Sequence, residues 1–160
     1  METKSSLNSI LELRNNDSSI VRKFGSILEK RYNNVDVIAS MVNPPVEYSN
    51  GEIKKEVDQV FVLLENGFEV VVKKNVQSEY SPNQIQKFDI ESSYVPFSKI
   101  KSITEDFVKV SNGEVPNRVI IEHFCGRVEL VHGKVNGFYS SGDNEKDLNS
   151  IIRYLKNKKI

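Results

Sequence analysis

His123 and Cys125 stand two residues apart in "EHFCG", and residues i and i+2 of a strand share a face. An imidazole beside a thiol is the pairing that makes a thiolate nucleophile, with the histidine as its base. Two features weigh against it here. Cys125 falls where a hairpin turn is expected, and no Asn or Asp is evidently placed to orient the imidazole. Adding His132 gives three potential zinc ligands, but their spacing matches no standard zinc pattern. On paired strands His123 and His132 fall at opposite ends of the hairpin, too far apart for one metal.

Other constellations are thinner. Glu105 and Asp106 are adjacent, and neighbours on a strand point to opposite faces, so they do not act on one substrate. Asp143, Glu145 and Asp147 are explained by helix capping and the helix dipole. "SSGDNEKD" lacks the glycines and lysine of a phosphate loop. "SKIKS" has two lysines without aromatics on the same face, a poor platform for single-stranded nucleic acid. The expectation is therefore no catalytic, cofactor-binding or metal-binding residue.

Charge agrees. Lys+Arg and Asp+Glu are both 22 in 160 residues. Residues 1–80 carry 10 basic and 12 acidic groups and residues 81–160 carry 12 and 10, so neither half offers the basic footprint of a nucleic-acid or membrane binder. The single cysteine, Cys125, excludes an internal disulfide and fits a reducing compartment. No apolar run is long enough to span a bilayer. "METKSSLNSILELRNN" lacks the basic start and apolar stretch of a secretion signal, so a cytoplasmic location is expected.

The elements that must position these residues begin with helices. Asp17 is a candidate N-cap, and Ile20, Val21, Phe24, Ile27 and Leu28 make one apolar stripe. A shorter helix through Leu7, Ile10, Leu11 and Arg14 precedes it. "VDVIASM" (35–41) reads as a strand and "VNPPVEYSNGE" (42–52) as a loop. "VDQVFVLLE" and "FEVVVKK" read as a hairpin with Asn66-Gly67 as a two-residue turn, so that Glu65 and Phe68 flank it. "IQKFDIESSYV" (85–95) is a further strand, broken at Pro96 and resumed through Ile100 and Ile103.

"NGEVPN" (112–117) reads as a turn, and "RVIIEHF" with "RVELVH" as a second hairpin. With Cys125-Gly126 as its loop, Ile121 faces Leu130, His123 faces Val128 and Val119 faces His132. That register opposes Glu122 with Glu129 and asks a positive φ of Cys125, so a longer, bulged loop is the alternative. The last element is the clearest helix. Asp143 caps it, Leu148, Ile151, Ile152 and Leu155 form its stripe, and Lys156, Lys158 and Lys159 close its basic end.

Many strands ending in one amphipathic helix make an α+β or β-barrel domain capped by that helix. The hairpins "VFVLLENGFEVVVKK" and "RVIIEHFCGRVELV", the segment "VPFSKIKSI", the short strand "GFYS" and the helix "DLNSIIRYL" together resemble small bacterial proteins of the pleckstrin-homology-like (PH-like) superfamily. The resemblance covers roughly residues 53–158. It implies a bent antiparallel sheet or partly open barrel over residues 51–160, with residues 1–50 as an N-terminal helical extension and loop, the whole forming one globular unit. It also implies that Pro96 and Ser98 mark a bend between two sheets, with Ile100 and Ile103 returning to the core.

Phosphoinositide binding does not carry over. Lipid-binding members place Lys and Arg beside the first hairpin loop, where "LENGFE" has Glu65 and Glu69, which would repel an inositol phosphate. The function expected is a non-enzymatic interaction module that binds a protein or peptide partner or self-assembles. Such a partner would dock at an exposed strand edge or beside the C-terminal helix. The alternatives are a thiol-dependent enzyme using Cys125 with His123, and lipid or nucleic-acid surface binding through Lys73, Lys74 and the terminal lysines. The Asn- and Lys-rich, alanine-poor composition points to an AT-rich bacterial or phage genome.

Overall fold

The computed structural model describes residues 5–7, 10, 11, 13, 19–42, 59–76, 87–111, 113–132 and 145–158. A helix, α1 (Ser19–Tyr32), leads into strand β1 (Val37–Val42). Then follow β2 (Gln59–Leu64), β3 (Gly67–Val76) and β4 (Lys87–Pro96). A short 3₁₀ turn, Phe97–Lys99, connects to β5 (Ile100–Val110), β6 (Gly113–His123), β7 (Gly126–Val131) and the final helix, α2 (Glu145–Asn157). The strands form two antiparallel sheets, ordered β1-β2-β3-β4 and β5-β6-β7. The fold is α+β, and among the described residues no strand pairing closes the two sheets into a barrel. The expected N-caps Asp17 and Asp143, the strand "GFYS" and most of the loop at 42–52 lie outside the described residues.

The run "VFVL" in β2 is apolar at every position, because its sheet is covered on both faces. Phe61 and Leu63 join Phe68, Val70, Ile121 and Leu130 in the main core between the sheets. Val60 and Val62 face the other way, into a second cluster with Phe24, Leu28 and Tyr32 of α1 and with Leu7, Ile10 and Leu13. A strand buried on both sides loses the polar–apolar alternation of a half-exposed one. The helical N-terminal part thus covers the back of the first sheet, and its β1 is hydrogen-bonded to β2. In the stripe of α1, Phe24 and Leu28 are fully buried.

Polar ties hold α1 to that face. Tyr32 Oη donates to Glu69 Oε2 at 2.9 Å, and Arg31 Nη1 donates to Ser92 Oγ at 2.6 Å. Burial and the Glu69 carboxylate push the Tyr32 hydroxyl above its ordinary pKa. The native state then keeps this proton at pH values where the unfolded chain, with a tyrosine pKa of about 10, has released it. Protons are bound more tightly in the native state, so the contribution is intact below pH about 10 and is lost as pH rises beyond it. Chemical denaturation across the alkaline range should show a falling stability whose slope is shallower in Tyr32→Phe. Identical slopes would place the alkaline loss elsewhere.

The segment "VPFSKIKSI" behaves as its sequence indicates. β4 ends at Pro96, the chain turns through Phe97–Lys99, and β5 starts at Ile100 in the other sheet. The Phe97 amide donates to Asn66 O at 3.0 Å and the Phe124 amide to Lys99 O at 3.0 Å, tying this corner to both neighbouring hairpin turns. Ile100 and Ile103 pack against the main core.

Both hairpin turns differ from expectation by the same shift. Phe68 pairs with Leu63, not Glu65, so the first loop is Glu65-Asn66. Gly67 has already entered β3 opposite Pro96. Its role is close approach: a Cβ there would sit 2.5 Å from the carbonyl oxygen of Val95. His123 pairs with Gly126, not Val128, so the second loop is Phe124-Cys125. This register sets Glu122 opposite Arg127, removing the opposed carboxylates of the expected pairing. It also places Gly126, with a positive φ of +151°, at the start of β7.

"NGEVPN" is strand, not turn, from Gly113 onward. Pro116 is tolerated because the register shifts between Asp106 and Phe107, which pair with Arg118 and Pro116 and leave Asn117 as the extra residue. The freed carbonyl of Asn117 accepts from the His132 amide at 2.8 Å. Finally, α2 buries Leu148, Ile151 and Leu155 in the main core, with Ile152 packed against it, and contacts β1 and β6.

Candidate functional site

β5 lies at the edge of its sheet, with β6 on one side. Its pairing puts Ile103 opposite Ile121 and Glu105 opposite Val119, so both point to the core face. The same alternation carries Phe107, which is 49% exposed. Across from this row stand Ile152, Leu155 and Lys156 of α2. Together the two elements wall a groove of about 590 Å³. One wall is a strand edge that is unpaired among the described residues, and the other an amphipathic helix.

Glu105 is the anomaly in this groove. It occupies a core-facing position between Ile103 and Phe107, where a carboxylate carries a desolvation cost. Lys156 Nζ donates to its Oε2 at 3.1 Å, and the two side chains are 64% and 17% exposed respectively. Such a half-exposed ion pair contributes about 0–1 kcal/mol. Oε1 is buried and has no hydrogen-bond partner among the described residues. An unsatisfied buried acceptor costs about 1–3 kcal/mol.

Asp106, next in sequence, turns to the opposite face. It accepts from Asn117 Nδ2 at 3.0 Å and Arg118 Nε at 3.1 Å. These hydrogen bonds hold its carboxyl below the ordinary range. The two carboxylates therefore serve separate partners.

The thiol–imidazole pair does not form. Cys125 is exposed at the loop, and its backbone N–H, not its thiol, donates to His123 Nδ1 at 3.2 Å. The imidazole edge also meets the Phe68 ring, with centroids 6.0 Å apart. His123 thus closes a turn and packs on the core. His132 sits beyond the far end of the same hairpin and is buried. Among the described residues no group of three or more His, Cys, Asp or Glu is arranged to hold a metal ion.

The lysines named for lipid or nucleic acid do not make a common surface. Lys73 is only 3% exposed, because β3 is covered on that face, and Lys74 pairs with Glu91 at 2.9 Å. Lys156 is engaged by Glu105, and Lys158 lies over the Tyr154 ring at 5.3 Å. Lys159 lies outside the described residues. Glu69, expected beside the hairpin mouth, is instead bound by Tyr32. Among the described residues no helix is long and apolar enough to cross a membrane.

Glu105 was readable as a polar residue interrupting the row Ile103, Glu105, Phe107 in "SITEDF". Its partner was not, since Lys156 is distant in sequence and reads as an ordinary basic helix end. No protein-family model, curated protein or solved structure matches this chain.

Proposed function

We propose that this protein is a non-enzymatic, PH-like interaction module of the bacterial cytoplasm that binds an extended peptide segment of a protein partner along β5. The observation that carries the reading is the groove between α2 and the edge of β5 that no described strand pairs with. An edge strand offers backbone donors and acceptors to an added strand, and the neighbouring helix supplies side-chain contacts. The PH-like assignment draws support from the element order, with strands passing from one sheet to a second at "VPFSKIKSI" and an amphipathic helix closing the chain. The cytoplasmic assignment draws support from the lone, exposed Cys125.

Selection of a displayed random-peptide library against the full chain tests this. Enriched peptides should perturb amide signals of β5 and α2, and Phe107→Lys should weaken them about tenfold or more, about 1.4 kcal/mol. Perturbations centred on the Phe124-Cys125 turn, or undiminished binding to Phe107→Lys, would reject the reading.

A further inference from the structure

We infer that the strand added to β5 is β5 of a second copy of this chain, running antiparallel across a two-fold axis at Phe107. This deepens, and rests on, the strand-addition reading. A two-fold interface uses the same patch on both copies, so that patch must complement itself. With the axis at Phe107, that ring meets Phe107 of the second copy. On either side of the axis, Glu105 of one copy meets Lys109 of the other.

The apolar contact supplies the attraction. Phe107 is 49% exposed on an edge that no described strand pairs with. Aromatic residues directly opposite on antiparallel strands are favourable cross-strand pairs. The outward backbone N–H and C=O groups of that edge gain partners in the same step. An edge lysine ordinarily discourages strand addition, but here Lys109 arrives opposite a carboxylate. Lys109 is exposed, and it reaches the 17% of the Glu105 side chain that is open to solvent while Lys156 keeps Oε2.

Charge selects the register. Moving the axis one residue, to Asp106, sets that carboxylate against its own copy. Moving it to Val108 takes Lys109 from Glu105 and places it opposite Phe107. An axis at Glu105 opposes Glu105 with Glu105 and Lys101 with Lys109, all like charges. An axis at Ile103 pairs Lys101 with Glu105, but it brings Phe107 opposite Lys99, which belongs to the turn and not to β5. That end of β5 also follows β4 after only the turn Phe97–Lys99, whereas Phe107 lies in the half farther from that corner. Each β5 edge is used once, so assembly stops at two copies and joins their β5-β6-β7 sheets into one.

Sedimentation equilibrium of the full chain tests this. The mass should rise from monomer to dimer and no further, with a Kd of about 1–10 μM because one strand edge makes a small interface. Phe107→Lys and Lys109→Glu should each raise that Kd about tenfold or more, with the parent Tm retained in dilute, monomeric solution. In a Cys125→Ser background, Phe107→Cys treated with diamide should form a disulfide-linked dimer about tenfold faster than Thr104→Cys, because only the axis position brings its two copies within disulfide reach. A chain that stays monomeric while selected peptides still perturb β5 would overturn the second copy as occupant and leave strand addition standing. A dimer undiminished in Phe107→Lys would overturn it as well, by placing the contact elsewhere. A monomer for which no selected peptide perturbs β5 would overturn both.

Discussion

Truncating Phe68 to alanine lowers the unfolding free energy by about 3–5 kcal/mol, enough to leave a domain of ordinary stability barely folded. Phe68 is fully buried and stacks on Phe61 with ring centroids 4.9 Å apart. Its other side meets the His123 ring, so it bridges the first sheet to the second. Because interiors are close-packed, the void left by the ring is not refilled by neighbours held in two separate sheets. Urea unfolding should show the loss in the midpoint, with the slope unchanged. Phe124→Ala is the control: that ring is 70% exposed and touched by Lys99 at 5.6 Å, and its loss should cost no more than about 1 kcal/mol. Equal effects of the two variants would mean that the sheets do not meet through Phe68.

Placing a carboxylate on the buried face of α2 produces the second large effect. Ile151→Asp should destabilise the protein by about 4 kcal/mol or more, since Ile151 is fully buried in the apolar main core. Arg153→Asp, on the exposed face of the same helix, should stay within about 0.5 kcal/mol of the parent. Hydrogen exchange should show α2 amides losing protection in Ile151→Asp and keeping it in Arg153→Asp. The helix also forms one wall of the groove, so Ile151→Asp should abolish peptide binding by removing Ile152, Leu155 and Lys156 from their places. An Ile151→Asp protein as stable as its parent would show that α2 does not close the core.

Much of this architecture is written locally. The stripe Leu148, Ile151, Ile152 and Leu155 has helical spacing, and a helix buries whichever face is apolar, so the docked side of α2 follows from sequence. The break at Pro96 is equally local, because a residue without an N–H cannot continue a ladder there. The strands of both hairpins were legible from their β-branched runs. Their registers were not. The expected and observed pairings of Phe68 differ by two residues, as do those of His123. Side chains alternate with period 2, so a two-residue slip keeps every apolar group on its face.

By itself, then, the sequence determined most strand and helix segments, the strand start at Gly113 excepted, together with which faces are apolar and where the chain bends between sheets, all of which depend on residues a few positions apart. Tertiary structure decided the rest. In the first hairpin the register rests on Gly67 fitting against Val95, which is not a short-range property; in the second, the Glu122–Arg127 pairing is local but leaves the apolar faces unchanged, so the apolar pattern does not select it. The groove is long-range as well. Glu105 and Lys156 become partners only when β5 and α2 are brought side by side, because the cost of burying a carboxylate depends on what the fold places around it.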